Sequence, residues 1–467
     1  MGKKKKKRCG GGGGGRQAAL AAVVAANAPI DVTPAIMHID PALVDRETLK
    51  QIRAMARHPA MQGESRPVMM PDCHFCPRCT VGTTSRVGER VVPSFVGGDI
   101  GCGVLLYRVR APLPSNLEVV DKRLRAALRG EPPLRAIGIS DEAMRDLLRE
   151  CAAGAARIGR SVGGSVGESV PNFLAEGYIE EVCARVRYPH DLAAATGSLG
   201  GGNHFLEIGV GRSKEEYFIC VHSGSRAFGG LVCAHHQAKI GNGKDIDFKE
   251  FERITRGFRP LPREERQAKE QALLEKMRSE MHAPYLEGEE ARAYYWDMIL
   301  AQNLAKANRR ALLDAALHAC EAPPFRAEDL IESVHNYIDF DDMVMRKGAI
   351  RAHEGEPCVV ALNMRDGVLL CRGKGNVDWN SSCAHGAGRQ LTRTEARRRV
   401  KPDALVEELR GAGVLNTSPA TLLVDEAPEC YKDAAMISEL VGESVEIIER
   451  IRPVLNVKEA EPGIIHG

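Results

Sequence analysis

Asp99 and Cys102 lie three residues apart in the glycine-rich stretch GGDIGCG (97–103), and four histidines sit in stretches of similar form: NHFLE (203–207), VHSGSR (221–226), SVHNYID (333–339) and CAHGAGR (383–389). Each histidine stands in or beside a strand-like piece, next to a small or amide residue. A lone histidine in such a setting is more often a hydrogen-bonded structural residue than a ligand. Four of them, joined by an acid and a thiol, shift the balance toward a metal centre. The glycines around Asp99 and Cys102 let the backbone fold closely enough for both side chains to face one point; a capped turn with a small buried thiol is the plainer alternative. Carboxylate, thiolate and imidazole together form a mixed hard and soft ligand set, suited to Mn, Zn, Fe or Co rather than to Mg or Ca. Two such ions sharing a ligand would suit phosphoryl chemistry, in which paired cations clamp the attacking and leaving oxygens.

Two further stretches could meet an anion. GGGNH (200–204) reads either as a plain turn or as a glycine loop whose N–H groups approach a phosphate. GAGR (386–389) has the same two readings, and Arg389 adds a planar fork able to grip phosphate bidentately. A third stretch, PDCHFCPRCTVG (71–82), spaces Cys73, Cys76 and Cys79 three apart with His74 beside the first. Zinc needs four ligands in sound geometry, and no second paired-cysteine motif follows to complete a knuckle. The favoured reading is a loop beside the active site with ordinary thiols; a zinc-stabilised RNA-binding module is the rival.

The elements that must hold these residues are legible in outline. VPSFVGGDIGCGVLLYRVR (92–110) reads as a buried strand leaving a glycine turn, and the same arrangement recurs at GGGNHFLEIGV (200–210) and YFICVHSGSRAFGG (217–230). Strand ends that run into glycine loops are where sites are commonly built. DEAMRDLLRECAAGAARI (141–158) suits a capped amphipathic helix. PREERQAKEQALLEKMRSEMH (262–282) is a charged helix, and residues 288–317 carry apolar residues at helical spacing over a length that implies a long helix packed on the core. ESVHNYIDF, PCVVALNM and GVLLCRG then return to strand-like pieces before the loop NSSCAHGAGRQ and the polar helix TRTEARRRV. No repeat is visible, and helices and strands do not strictly alternate, so the expected class is α+β.

At 467 residues, with 44% hydrophobic and 27% charged residues, the chain has the composition of a globular enzyme. No apolar run reaches the ~18–20 residues of a membrane span. With 64 basic and 62 acidic residues the net charge is +2, so any phosphate-binding surface must be local. Fourteen scattered cysteines lack the regular spacing of a secreted disulfide scaffold and point to a reducing, cytoplasmic setting. Residues 1–27 read as a disordered tail. Lys3 to Arg8 within it form either a nuclear address or a solvated block.

The stretches VGGDIGCG (96–103), GSLGGGNHFLEI (197–208), HSGSRAFG (222–229), SVHNYID (333–339), RKGAIRAHEG (346–355), SSCAHGAGR (381–389) and YKDA (431–434) resemble, in their order, the motifs of the RtcB family of RNA-splicing ligases. The resemblance spans about residues 70 to 460. It implies a single large α+β domain over 28–467, with mixed and antiparallel sheets around a central metal and nucleotide cleft and helices outside. It also implies two manganese ions held by Asp99, Cys102, His204, His222 and His335, with Cys102 bridging them. By the same resemblance, His385 is the nucleophile that takes GMP from GTP, Asn203 and Glu207 contact the guanylate, and Glu207 reads the base. His335, Asn363, Gly386, Ala387, Gly388, Arg389, Tyr431 and Lys458 fall at further nucleotide contacts. The implied substrate is RNA, as tRNA halves or cleaved ends, with an archease-type activator as a candidate partner. A homologue with another metal-dependent role at RNA ends is the rival within the family. The chain departs from the family pattern at Asn363, where a serine is usual, and at Cys76 and Arg78, where glycines are usual. It also continues past Lys458 with EAEPGIIHG.

Overall fold

The computed structural model describes residues 30–129, 141–161, 171–189, 192, 196–240, 248–258, 260–279 and 284–459; the expected tail, residues 1–27, lies outside them. In chain order the strands are β1 (Ile36–Met37), β2 (Val68–His74), β3 (Val81–Arg86), β4 (Gly103–Val109) and β5 (Phe205–Val210). There follow β6 (Tyr217–Ser223), β7 (Leu330–Val334), β8 (Asn336–Asp339), β9 (Val344–Lys347) and β10 (Ala349–Arg351). The last four are β11 (Pro357–Asn363), β12 (Gly367–Gly373), β13 (Ser382–Ala384) and β14 (Val445–Val457).

A seven-stranded antiparallel sheet has the order β11-β12-β14-β5-β6-β4-β7. A five-stranded sheet, β1-β2-β3-β9-β8, is antiparallel except for the parallel pair β1-β2, and β10 and β13 form a separate pair. With helices packed around these sheets the architecture is α+β, as the mixed order of elements implies. ESVHNYIDF does not form one strand. It divides into β7 and β8, which belong to different sheets, and the junction is His335. The His335 N–H donates to the Cys102 carbonyl at 2.9 Å and its own carbonyl accepts from Gly348 N, so its backbone groups are satisfied while the chain changes sheets.

The helices follow their sequence signals. Asp141–Ser161 and Arg263–Ser279 are helical, and Thr392 caps Arg393–Arg399 with a reciprocal bond to Glu395. The 32-residue helix Gly288–Ala319 joins two apolar clusters. Tyr294, Met298 and Leu304 pack with Phe95, Ile100 and Phe228, whereas Leu312, Leu313 and Ala316 pack under Leu105, Leu206 and Ile219 of the large sheet. That helix therefore runs beneath the loop between Asp99 and Gly103. No described helix is long and apolar enough to cross a membrane.

Register brings the site together. Gly103 pairs with both Ser223 and Val334, and Phe205 pairs with His222. The start of β4, the start of β5, the end of β6 and the end of β7 thus meet at one rim of the sheet. Cys102, His204, His222 and His335 are the residues at or next to that rim.

Candidate active site

Cys102 is the common member of two ligand groups, Cys102–His222–His335 and Asp99–Cys102–His204, whose donor atoms lie within 4.8 Å of one another in each group. Cys102 Sγ is 3.4 Å from His204 Nε2 and 3.3 Å from His222 Nε2; His204 Nε2 is 2.8 Å from Asp99 Oδ2, and the Nε2 atoms of His222 and His335 are 3.2 Å apart. Burial, reinforced by neighbouring imidazoles, pushes His222 and His335 well below 6.5, so both rings are neutral and present lone pairs. Burial and then Asp99 push the Cys102 thiol well above 9, a shift that a bound cation reverses. Asp99 Oδ1 is buried without a hydrogen-bond partner. A carboxylate, a thiol and three imidazoles converging in this way have more lone pairs than protons to share. The donor set could hold metal, and its mixture of oxygen, nitrogen and sulfur suits a transition metal. Glycine is required alongside, because a Cβ at Gly224 would collide with the Asp99 carboxylate.

His385 approaches this centre from the β10-β13 pair, with its ring centroid 4.6 Å from that of His335. Its Nδ1 lies 2.6 Å from Asp72 Oδ2, and Asp72 is 0% exposed. A carboxylate only accepts, so Nδ1 is the donor of this bond. Asp72 is itself fixed on both sides, since Lys432 Nζ donates to the carbonyls of Pro71 and Cys73 at 2.8 and 2.7 Å. Gly388, in the left-handed region at φ 73°, lies directly against the Asp72 carbonyl, where any Cβ would clash. The loop after His385 is held by Ala361, whose N–H donates to the His385 carbonyl at 3.0 Å and whose carbonyl accepts from Ala387 N at 2.9 Å.

On the other side, Glu207 of β5 is buried and accepts from Asn456 Nδ2 at 2.6 Å. Burial raises its pKa to about 7, against the lowering effects of Asn456 and Lys458. Lys458 Nζ donates to the Gly202 carbonyl at 2.9 Å, joining the C-terminal strand to the turn that carries Asn203 and His204. Buried Glu426 gathers Arg393 at 2.7 Å, Arg389 at 3.1 Å and Lys458 at 3.9 Å, together with the Tyr431 hydroxyl. Burial alone would raise Glu426, but Lys458, Arg393 and Arg389 outweigh it and hold the carboxyl down at about 2.

Asp99, Cys102, His204, His222 and His335 therefore share one rim, with the His385 ring against that of His335, Asn203 exposed on the adjoining turn, Gly386 and Ala387 against Ala361, and Gly388 beside Asp72. Two residues face differently from expectation. The Arg389 fork is engaged by the Leu391 carbonyl, the Asp425 carbonyl and Glu426, so it braces the loop rather than standing open to phosphate. Asn363 closes its own hairpin, accepting from the N–H groups of Arg365 and Asp366 and donating to the Asp366 side chain. Cys73 packs with Ile52 and Met69, Cys79 packs with Met55 and Phe95, and His74 Nδ1 donates to the Asp72 carbonyl, so these side chains do not converge on a zinc ion. Asp72, Lys432, Glu426 and Asn456 are the members of the site that sequence reasoning assigned no part. Asp72 could have been found, since it stands in PDCHFCPRCTVG, the stretch read as a loop beside the active site.

The family model described as tRNA-splicing ligase RtcB matches residues 51–459. The chain belongs to the RtcB family. It is 27% identical to the RNA-splicing ligase RtcB of Escherichia coli K12 over 420 residues, covering 84% of this chain and 89% of that protein. The tRNA-splicing ligase RtcB of Nanoarchaeum equitans is 25% identical over 490 residues, with 92% and 95% covered. The RNA-splicing ligase RtcB of Mycobacterium tuberculosis is 26% identical over 430 residues, with 80% and 92% covered. The RtcB match includes every element of the site described above, from Asp72 to Lys458.

Proposed function

We propose that the protein is a GTP-dependent RNA ligase that joins RNA 3′-phosphate or 2′,3′-cyclic phosphate ends to 5′-hydroxyl ends, in tRNA splicing or RNA repair. The observation that carries this reading is the His385 imidazole, fixed through Nδ1 by buried Asp72 beside the candidate metal ligands. Asp99, Cys102, His204, His222 and His335 would hold two Mn²⁺, whose charge would neutralise phosphate oxygens. His385 Nε2 attacks the α-phosphorus of GTP, forming an N–P bond as the bond to pyrophosphate breaks. A cyclic phosphate end is first opened by water to the 3′-phosphate. An oxygen of that 3′-phosphate then takes GMP from His385, and the 5′-hydroxyl of the second end displaces GMP to form the phosphodiester. Positioning and charge stabilisation dominate each transfer. Glu207, as a buried acceptor, faces the guanine N–H edge. Asn203 and Lys458 border the nucleotide, and Gly386 to Gly388 with Tyr431 shape its loop.

The test is incubation with Mn²⁺ and GTP labelled at the α-phosphate, followed by denaturing electrophoresis. The parent chain takes an acid-labile label and His385→Ala takes none. Equal labelling of the two would remove His385 as nucleophile. A parent that takes label but fails to join 3′-phosphate and 5′-hydroxyl RNA ends would point to another role at RNA ends.

A further inference from the structure

Behind the ligands, on the helix Gly288–Ala319, two adjacent polar residues are almost wholly buried: Asn308 at 1% exposure and Arg309 at 0%. Their hydrogen bonds go to different parts of the metal-ligand rim. The Asn308 amide oxygen accepts from Gly197 N at 2.7 Å and Ser198 N at 3.1 Å, while its NH₂ donates to the Ser198 carbonyl at 3.1 Å, Ser223 Oγ at 2.9 Å and the Gly224 carbonyl at 3.2 Å. Ser223 Oγ in turn donates to the Leu199 carbonyl at 2.8 Å, the same oxygen that lies 3.1 Å from His204 Nδ1 and directs Nε2 toward Asp99 and Cys102. Gly224, whose carbonyl also accepts from Asn308, is packed against the Asp99 carboxylate. Asn308 thus reaches Asp99 through the Gly224 backbone and His204 through two links, the Ser223 hydroxyl and the Leu199 carbonyl.

Arg309 reaches elsewhere. Its Nη1 donates to the Gly101 carbonyl at 2.6 Å and the Ser223 carbonyl at 2.9 Å, the residues next to Cys102 and His222, and its Nε donates to Glu332 at 2.8 Å on the strand that delivers His335. Groups behind a metal's ligands commonly tune its affinity as strongly as some ligands do, because they fix the direction of the donor atom. We propose that these neighbours are positioning residues with separate assignments. Asn308 sets the Asp99–Cys102–His204 half of the centre, and Arg309 sets the shared Cys102 together with the His222–His335 half. The inference rests on the two-ion reading above.

The experiment is calorimetric titration of the metal-free full chain with Mn²⁺, repeated with Co²⁺ to follow the thiolate charge-transfer band. Two single-site backgrounds isolate the halves: His335→Ala leaves the Asp99–Cys102–His204 group, and His204→Ala leaves the Cys102–His222–His335 group. Asn308→Asp keeps the acceptor for Gly197 and Ser198 but loses the donors. It should weaken the ion in the His335→Ala background by roughly 10–100-fold and change the other by less than about threefold. Ser223→Ala removes only the relay hydroxyl and should act in the same direction, which covers the case in which Asn308→Asp fails to fold. Arg309→Lys keeps the charge, loses the fork and should weaken the ion and shift the thiolate band in both backgrounds. Equal loss from Asn308→Asp in the two backgrounds, no loss in either, or no effect of Arg309→Lys in the His204→Ala background overturns the assignment. A parent chain that binds fewer than two ions would instead overturn the two-ion reading.

Discussion

The metal-side rim and the nucleotide-side cluster differ in how their polar groups are satisfied. Around Cys102 the groups face one another with unmet needs: two neutral imidazoles meet Nε2 to Nε2, and Asp99 Oδ1 has no partner. Around Glu426 the opposite holds, since Arg389, Arg393, Lys458 and Tyr431 meet a single carboxylate and neutralise it. The first region leaves acceptors without donors, a pattern that suits a bound cation. The second pairs its charges within itself, so its cations brace the segments that carry them. On the proposed reading, recognition of the nucleotide rests on Asn203, Lys458, the backbone of residues 386–388 and the buried Glu207.

The contrast predicts a graded set of effects. Cys102→Ser should do most damage, because Cys102 belongs to both groups. Metal analysis should show loss of both ions, and guanylylation should fall by more than about a hundredfold; retention of two ions would break the claim that the rim depends on one shared thiolate. Asp72→Ala frees the His385 ring and its tautomer without touching the metal ligands. Labelling should drop by roughly 10²–10⁴-fold with metal content unchanged.

Glu207→Gln comes next, lowering the preference for GTP over ATP by about tenfold. It also has a stability signature. Burial raises Glu207 from 4.5 to about 7, so the folded chain binds a proton more tightly than the unfolded chain does. Stability contributed by that proton is present below 4.5 and lost as pH rises through 7. Thermal melts should therefore show Glu207→Gln gaining on the parent between those values and staying ahead at pH 8. The smallest effect belongs to the outer cluster. Arg397 is 2.8 Å from Asp425 but largely exposed, and Arg397→Ala should cost under about 1 kcal/mol in a denaturant titration. A larger loss would show that the cluster depends on its rim.

The sequence disclosed elements wherever a local physical rule decides structure. Glycine turns next to apolar runs became β4 and β5, and the polar stretch TRTEARRRV became a helix, capped by Thr392 and Glu395 within its first turn. The ligand types of Asp99, Cys102 and the histidines were legible for a related reason, since few other chemistries use that mixture. Pairing across the chain was not. Asp72 and His385 are 313 residues apart, and no periodicity encodes their 2.6 Å contact. The inward turn of Arg389 depends on Glu426, 37 residues away, and composition cannot distinguish a braced guanidinium from an open one. The change of sheet at His335 is likewise invisible in a strand's period of two, which reports faces and not partners.

β14 carries a consequence for the integrity of the large sheet. It alone lies between β12 and β5, and it brings Asn456 to Glu207 with Lys458 immediately after it. Without residues 445–457 the large sheet would divide into two ladders, β11-β12 and β5-β6-β4-β7. The strand is therefore a keystone: a chain lacking it would keep the edges of β12 and β5 unpaired and leave Glu207 without Asn456.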